Sequence, residues 1–265
     1  MDIFNIDQKQ ARRFAIRLGW ISGAFLIVIG IVSAIEQKEG SPAQGIFVNI
    51  EPLEKDELLI TEEDVLVAID QSFGVPLKGL AIANVNVARI EKILEEEPFI
   101  LDANVFIDAK NYINITVQQR QPILRIIDNN GLNYYLDENG FRMPLSRHST
   151  ARVLVATGNL PPHTPEFLKK EKDMLKNTFL FARDRILEDP FFNALVEQIY
   201  INQKKEVVMV PKMGQQKILM GRYEDIETKL NKLLIFYQEA LPKEGWNKYK
   251  TINLKYKDQI VCEKR

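Results

Sequence analysis

The stretch ANVFIDAKNYINITV, residues 103–117, decides how this chain folds. Ala103, Val105 and Ile107 alternate with Asn104 and Phe106, and Ile113, Ile115 and Val117 alternate with Asn114 and Thr116. Successive side chains of a strand point to opposite faces, so each run describes a strand buried on one face. Upstream, Asn86 is an N-cap candidate for a helix with Val87, Ile90, Ile93 and Leu94 at helical spacing, stopped by Pro98. An earlier helix opens at Thr61, with Asp64 three residues on as a capping box, and places Val65, Ala68 and Ile69 on one face before Gly74 stops it. Ile46 to Ile50 (IFVNI) reads as a strand before both. The order strand, helix, helix, strand, strand makes a compact α+β unit, a three-stranded sheet covered on one face by two helices.

Further outward lies Leu18 to Ile35 (LGWISGAFLIVIGIVSAI), which carries no charge. Eighteen helical residues cover about 27 Å, close to the thickness of a bilayer's hydrocarbon, and the run reads as a single transmembrane helix. Lys9, Arg12, Arg13 and Arg17 precede it, whereas Lys38 is the only base in the 17 residues that follow. Basic flanks stay cytoplasmic, so residues 1–17 form a cytoplasmic tail and everything after the span is exported. A cleaved signal peptide is the competing reading, because Val32-Ser33-Ala34 would pass as a cleavage site. The apolar run is longer than the usual h-region of about 7 to 15 residues, which favours a retained span. Glu36 to Gly45 is a polar linker containing Gly, Ser and Pro.

The 35 basic and 36 acidic side chains nearly balance, which leaves none of the clustered positive charge that nucleic-acid binding requires. Cys262 is the only cysteine, so the exported part holds no internal disulfide and folds by apolar burial alone.

Downstream of residue 122 the chain is again α+β. Short strands are expected at Ile123 to Ile127, Tyr134 to Leu136 and Val153 to Ala156, followed by a helix from about Pro165 that Pro190 limits. Strands at Glu197 to Ile201, Val207 to Val210 and Lys217 to Met220, joined by short polar turns, suit an antiparallel meander. A helix around Asp225 to Ala240 places Ile226, Leu230, Leu233, Leu234 and Tyr237 toward the core. Ile252, Leu254 and Tyr256 alternate in a late strand, and Ile260 to Cys262 forms a shorter terminal one.

The first α+β unit directly beyond a span, followed by Gln119-Arg120-Gln121-Pro122-Ile123, resembles the POTRA domain of the bacterial cell-division family FtsQ/DivIB, where this segment usually reads Glu-Arg-x-Pro. The resemblance continues through Asp128 to Gly140 (DNNGLNYYLDENG), Val153 to Gly158 (VLVATG), Gly221 with Lys229-Leu230, and Ile252 to Val261 (INLKYKDQIV), similar to the family's closing Ile-Asp-Leu-Arg-Tyr strand pair. Gln119, Asn253 and Lys255 depart from the family's Glu, Asp and Arg. The resemblance implies a POTRA domain over 46–122 and a second, mostly antiparallel β domain with helices over 123–265. It also implies a non-enzymatic bitopic scaffold of the divisome in the inner membrane at the division septum, partnered by FtsB (DivIC)-like and FtsL-like proteins and needing no cofactor. A POTRA-bearing component of outer-membrane protein assembly or transport is the alternative, but that requires many alternating strands of about ten residues where this chain has helices.

Catalytic constellations are scarce. His148 and His163 lie in polar loop contexts without metal-ligand spacing, and Ser146 and Ser149 beside His148 have no nucleophile-elbow motif. Asp137-Glu138-Asn139-Gly140 reads as a hairpin turn rather than a cation loop. Phe179, Phe181, Phe191 and Phe192 read as core, and Cys262 as a small packed hydrophobe.

A terminal strand over Gln259 to Cys262 exposes unpaired backbone groups to which a partner can add a strand, unless Glu263, Lys264 and Arg265 merely guard that edge. The family resemblance favours a binding edge formed by Tyr256, Asp258, Gln259, Ile260 and Val261. A proline at Ile260 is expected to weaken the added strand.

Overall fold

The computed structural model describes residues 17–31, 40–74 and 76–265. Helix α1 covers residues 17–31 with its apolar side chains, Trp20 and Phe25 among them, exposed. Residues 32–35 of the expected span lie outside the described residues, and among those described no helix is long and apolar enough to cross a membrane. Further along, the chain divides into two compact units. The first gathers the described residues up to Asn49 with Glu62–Glu95 and Ala103–Val117; the second gathers Ile50–Thr61, Glu96–Asp102 and Gln118–Arg265.

In the order of the chain come β1 (Gly45–Glu51), α2 (Glu62–Phe73), α3 (Val87–Glu95), β2 (Ile100–Ile107) and β3 (Tyr112–Gln119), with the three strands in the sheet order β1-β3-β2. Glu62, Glu63 and Asp64 place negative charge at the positive end of α2. Gly74 ends that helix at φ +70, its N–H donating to Asp70 O at 2.9 Å. The Asn86 side chain caps α3 by accepting from Arg89 N at 3.0 Å. Val65, Ile69, Ile90 and Leu94 on the helices are buried, as are Ala103, Val105, Ile113, Ile115 and Val117 on alternate strand positions. The Glu91 carboxylate ties α3 to β2 by accepting from Val105 N at 2.9 Å. One difference concerns the linker. Ala43 is buried and exchanges backbone hydrogen bonds with Leu80 and Gly79, and Gly45 already belongs to β1, because Ser41 to Ala43 finds backbone partners in the segment around Leu80.

The second unit adds β4 (Pro122–Ile127), β5 (Asn133–Asp137), β6 (Arg142–Met143), β7 (Leu154–Gly158), α4 (Met174–Phe181), α5 (Pro190–Leu195), β8 (Val196–Ile201), β9 (Val207–Pro211), β10 (Lys217–Gly221), α6 (Ile226–Ile235), α7 (Leu241–Glu244), β11 (Tyr249–Asn253) and β12 (Val261–Lys264). One π-helical stretch, Ala182–Leu187, follows α4 and another, Phe236–Ala240, follows α6. All nine strands form one sheet in the order β12-β11-β10-β9-β8-β7-β4-β5-β6. The β4–β7, β7–β8 and β10–β11 pairs are parallel and the others antiparallel. Parallel neighbours need a long crossover, and the helices between β7 and β8 and between β10 and β11 supply two of them. Leu124, Ala156, Ile199, Met209, Ile218 and Ile252 of the sheet pack with Leu175, Phe179, Leu230 and Tyr237 of the helical segments in the main core.

One helix starts later than expected, and a further short helix follows it. Pro165 precedes only a 3-10 turn, Phe167–Lys169; α4 begins at Met174, where Asp173 caps it by accepting from Lys176 N at 3.1 Å. The helical run that α4 opens ends at Leu187, short of Pro190 as expected, and Pro190 itself starts the short α5, with Asp189 accepting from Phe191 N and Phe192 N. In both places a carboxylate available to cap free amides decides the start.

Candidate partner-binding edge

Ile252 and Leu254 are fully buried and hold β11 on the core, with Leu254 N donating to Leu219 O at 2.9 Å. The chain then turns. The Asn253 side chain accepts from Lys255 N at 3.0 Å, and Asp258 adopts a left-handed conformation at φ +59, which reverses the direction of the backbone. β12 returns antiparallel, pairing Asn253 with Val261, Ile252 with Cys262 and Thr251 with Glu263. It is the last strand of its sheet.

The Arg265 N–H donates to Lys248 O at 3.2 Å. Backbone groups of alternate residues point to the same side of a strand, so Glu263 and Val261 also turn toward β11, and the N–H and C=O of Cys262 and Lys264 face outward. Lys250 pairs with Glu263 at 3.5 Å, and the Glu263 carboxylate accepts from the Thr251 hydroxyl, which fastens the strand on its paired side. Cys262 packs half-buried against the core, and burial pushes its thiol pKa up.

Beside this strand lies a groove of about 260 Å³. Ile235, Phe236 and Ala240 form one wall, Asp258, Gln259 and Ile260 the other, and Lys232 and Glu239 add one charge of each sign. Lys232 Nζ donates to Tyr256 O at 2.7 Å and so ties the turn to α6. Of the five residues singled out from the sequence, only Val261 lies on β12. Tyr256 is 49% exposed in the turn, while Asp258, Gln259 and Ile260 line the groove. The terminal strand therefore begins at Val261, later than expected, and runs into the charged tail, because the turn at Asp258 consumes the residues before it. Lys232, Ile235 and Phe236 escaped the sequence reading. The available signal was that Ile235 falls off the apolar stripe of α6, and Ile235 is indeed 52% exposed.

The other candidates have structural surroundings. Ser146 Oγ donates to Leu59 O, Ser149 Oγ donates to Leu58 O, and the half-buried His163 ring lies between Tyr134 and Phe167 with Nε2 3.3 Å from Gly140 O. Asp137 Oδ1 accepts from Asn139 N and Phe141 N, and Gly140 closes that turn at φ +78. Phe179, Phe181 and Phe192 are buried, with Phe191 packed against them. Among the described residues no cluster of three or more His, Cys, Asp or Glu could hold a metal ion.

The family model described as FtsQ/DivIB, C-terminal related, matches residues 121–263, more than half of the chain. The chain belongs to the FtsQ/DivIB family. A POTRA-like domain model matches residues 42–118. The chain is also similar to the cell division protein FtsQ of Rhodothermus marinus, 29% identical over 189 residues that cover 69% of this chain and 67% of that one.

This membership directs attention to Gln119 and Arg120, which stand in the segment that is usually Glu-Arg-x-Pro in FtsQ/DivIB proteins. Gln119 is buried; its Oε1 accepts from Leu59 N at 2.6 Å and its Nε2 donates to Glu51 O at 2.9 Å. An ionised Glu could accept the first bond but has no proton for the second, so the amide fits this site. Arg120 pairs with Asp137 at 2.8 Å, donates to Ile100 O at 3.0 Å, and lies 4.1 Å over the Phe141 ring. The motif joins residues 50–61, 96–102 and the β5 turn into the second unit.

Proposed function

We propose that the chain is a non-enzymatic, membrane-anchored scaffold of the bacterial cell-division machinery. In this reading residues 18–35 cross the inner membrane, residues 1–17 remain cytoplasmic, and a POTRA domain over 46–122 and a β domain over 123–265 work outside, at the septum. The exposed apolar surface of α1 and the four bases ahead of it support the anchor. The outward edge of β12 accepts a strand from an FtsB (DivIC)-like partner, with Tyr256, Asp258, Gln259, Ile260 and Val261 around it, and a side chain of the added segment seats in the groove beside Ile235. Through that partner and an FtsL-like one, the scaffold is linked to septal peptidoglycan synthesis.

The observation that carries this reading is the pairing of β12 on one side only, next to an apolar groove. Main-chain hydrogen bonds supply affinity in strand addition, and pockets supply specificity. The test is depletion of the protein in its own cells. Filamentous cells are the expected result, together with copurification of small coiled-coil membrane proteins on the full-length chain. Normal division accompanied by loss of outer-membrane barrels overturns the scaffold reading in favour of a transport component.

A further inference from the structure

In the second unit β7 begins at Leu154, paired with Leu124 of β4 on one side, and meets β8 from Val155 on the other. The residues leading into it join neither neighbour. On β4, Pro122 stands two positions before Leu124 and has no N–H to offer. On β8, Glu197 is the extra residue of a bulge between the Val196–Pro211 and Gln198–Val210 pairs. Among the described residues the backbone N–H and C=O groups of Thr150, Ala151 and Arg152 make no hydrogen bond, although Ala151 is only 6% exposed. Backbone groups beside a core are ordinarily paired, so this stretch of main chain is open to a ligand that can pair with it.

The same three residues line a cavity of about 760 Å³, within the range of about 300–1,000 Å³ usual for ligand sites. Ile123, Leu187 and Val196 give it apolar walls. Arg125, Arg152, Lys212, Glu54 and Glu197 bring charge to it, and none of these five pairs with another. Arg152, Glu54 and Glu197 make no hydrogen bond or ion pair among the described residues. Arg125 spends its Nε on Asn133 Oδ1 at 2.9 Å, and Lys212 Nζ donates to Asn193 O at 2.7 Å; both partners are neutral, so both cations keep their charge uncompensated. Cations thus outnumber carboxylates by three to two. We propose that this cavity binds an extended acidic segment of polypeptide, whose main chain pairs with Thr150 to Arg152 and whose carboxylates meet Arg152 and Arg125. Strand addition draws its affinity from main-chain hydrogen bonds and its specificity from the side chains around them. Guanidinium groups suit carboxylates because their planar fork can hold both oxygens. A nucleic acid would bring its phosphates against Glu54 and Glu197, and a basic peptide would face three cations.

The test uses the full-length chain in detergent, with a fluorescently labelled, end-blocked hexapeptide of alternating valine and glutamate as the probe and fluorescence anisotropy as the readout. Binding is expected, and replacing the glutamates by lysine should weaken it at least tenfold, roughly 1.4 kcal/mol. Methylating alternate amide nitrogens of the probe, in either of the two registers, removes the donors along one edge without altering charge, and one register should lose at least tenfold. Arg152→Glu should weaken binding by a similar factor. Its side chain has no partner in the fold, so an unchanged melting temperature separates loss of binding from loss of structure. Lys264→Pro, at the β12 edge, should leave binding of the probe unchanged. A dissociation constant above about 1 mM for the glutamate peptide overturns the proposal. So does equal binding of the lysine peptide, binding that methylation in both registers leaves intact, or a loss on Lys264→Pro that Arg152→Glu does not share.

Discussion

Lys264→Pro and Glu263→Pro form a matched pair, one residue apart on β12, with opposite expected outcomes. Proline removes an N–H from the backbone in either position. The Arg265–Lys248 bond places the Glu263 donor on the side of β11 and the Lys264 donor on the open side. Loss of an internal ladder bond costs about 0.5–1.5 kcal/mol. For a domain of this size, about 1 kcal/mol corresponds to a fall of about 2–4 °C in melting temperature, so Glu263→Pro should lower Tm by a few degrees. Lys264→Pro breaks no bond of the sheet and should leave Tm nearly unchanged, while an added strand loses one donor and fits the constrained φ poorly. Together these should weaken binding of the soluble domain of the FtsB-like partner about tenfold, or about 1.4 kcal/mol. The proline belongs at Lys264 and not at Ile260, because Ile260 precedes the strand and packs against the core. Thermal melts and titration calorimetry on both variants provide the measurement. If Lys264→Pro melts like the wild type and binds the partner as tightly, the outward edge of β12 is not where the partner adds.

Arg120→Ala should destabilise the second unit by about 3–5 kcal/mol in denaturant titrations, since it strands the Asp137 carboxylate, whose side chain is only 3% exposed. Burial lowers the pKa of His163 below its ordinary 6.5, against a smaller opposing effect of the Gly140 carbonyl. The unfolded chain therefore takes up a proton that the folded chain resists, so the stability due to this group is present above pH 6.5 and is lost as pH falls toward the depressed folded pKa. Denaturant midpoints of wild type and His163→Gln should accordingly converge in slope above pH 7 and diverge between about pH 6.5 and 5; parallel profiles throughout would contradict it. A reporter enzyme fused after Arg265 should be active only outside the cytoplasm, and cytoplasmic activity would remove the proposed topology.

Alternation and capping by themselves were enough to place the elements of the first unit, because those signals are local: Val105 and Ile115 face inward through strand periodicity, and Asn86 caps α3 through a contact three residues away. The order of motifs likewise pointed to the FtsQ/DivIB family, and residues 121–263 match it. The pairing of strands distant in sequence was decided only by tertiary structure. Nothing in Val155 or Gln198 specifies that β7 and β8 run parallel, since the intervening helices set the direction only by packing on the sheet. The site divides in the same way. A terminal strand near the C-terminus was legible, whereas its first residue depended on the left-handed turn at Asp258. The groove depended on bringing Ile235 and Phe236 of α6 and its π-helical extension beside Ile260, more than twenty positions away in the chain. Propensity acts over a few residues, but an edge and its groove exist only once distant segments have packed on one core.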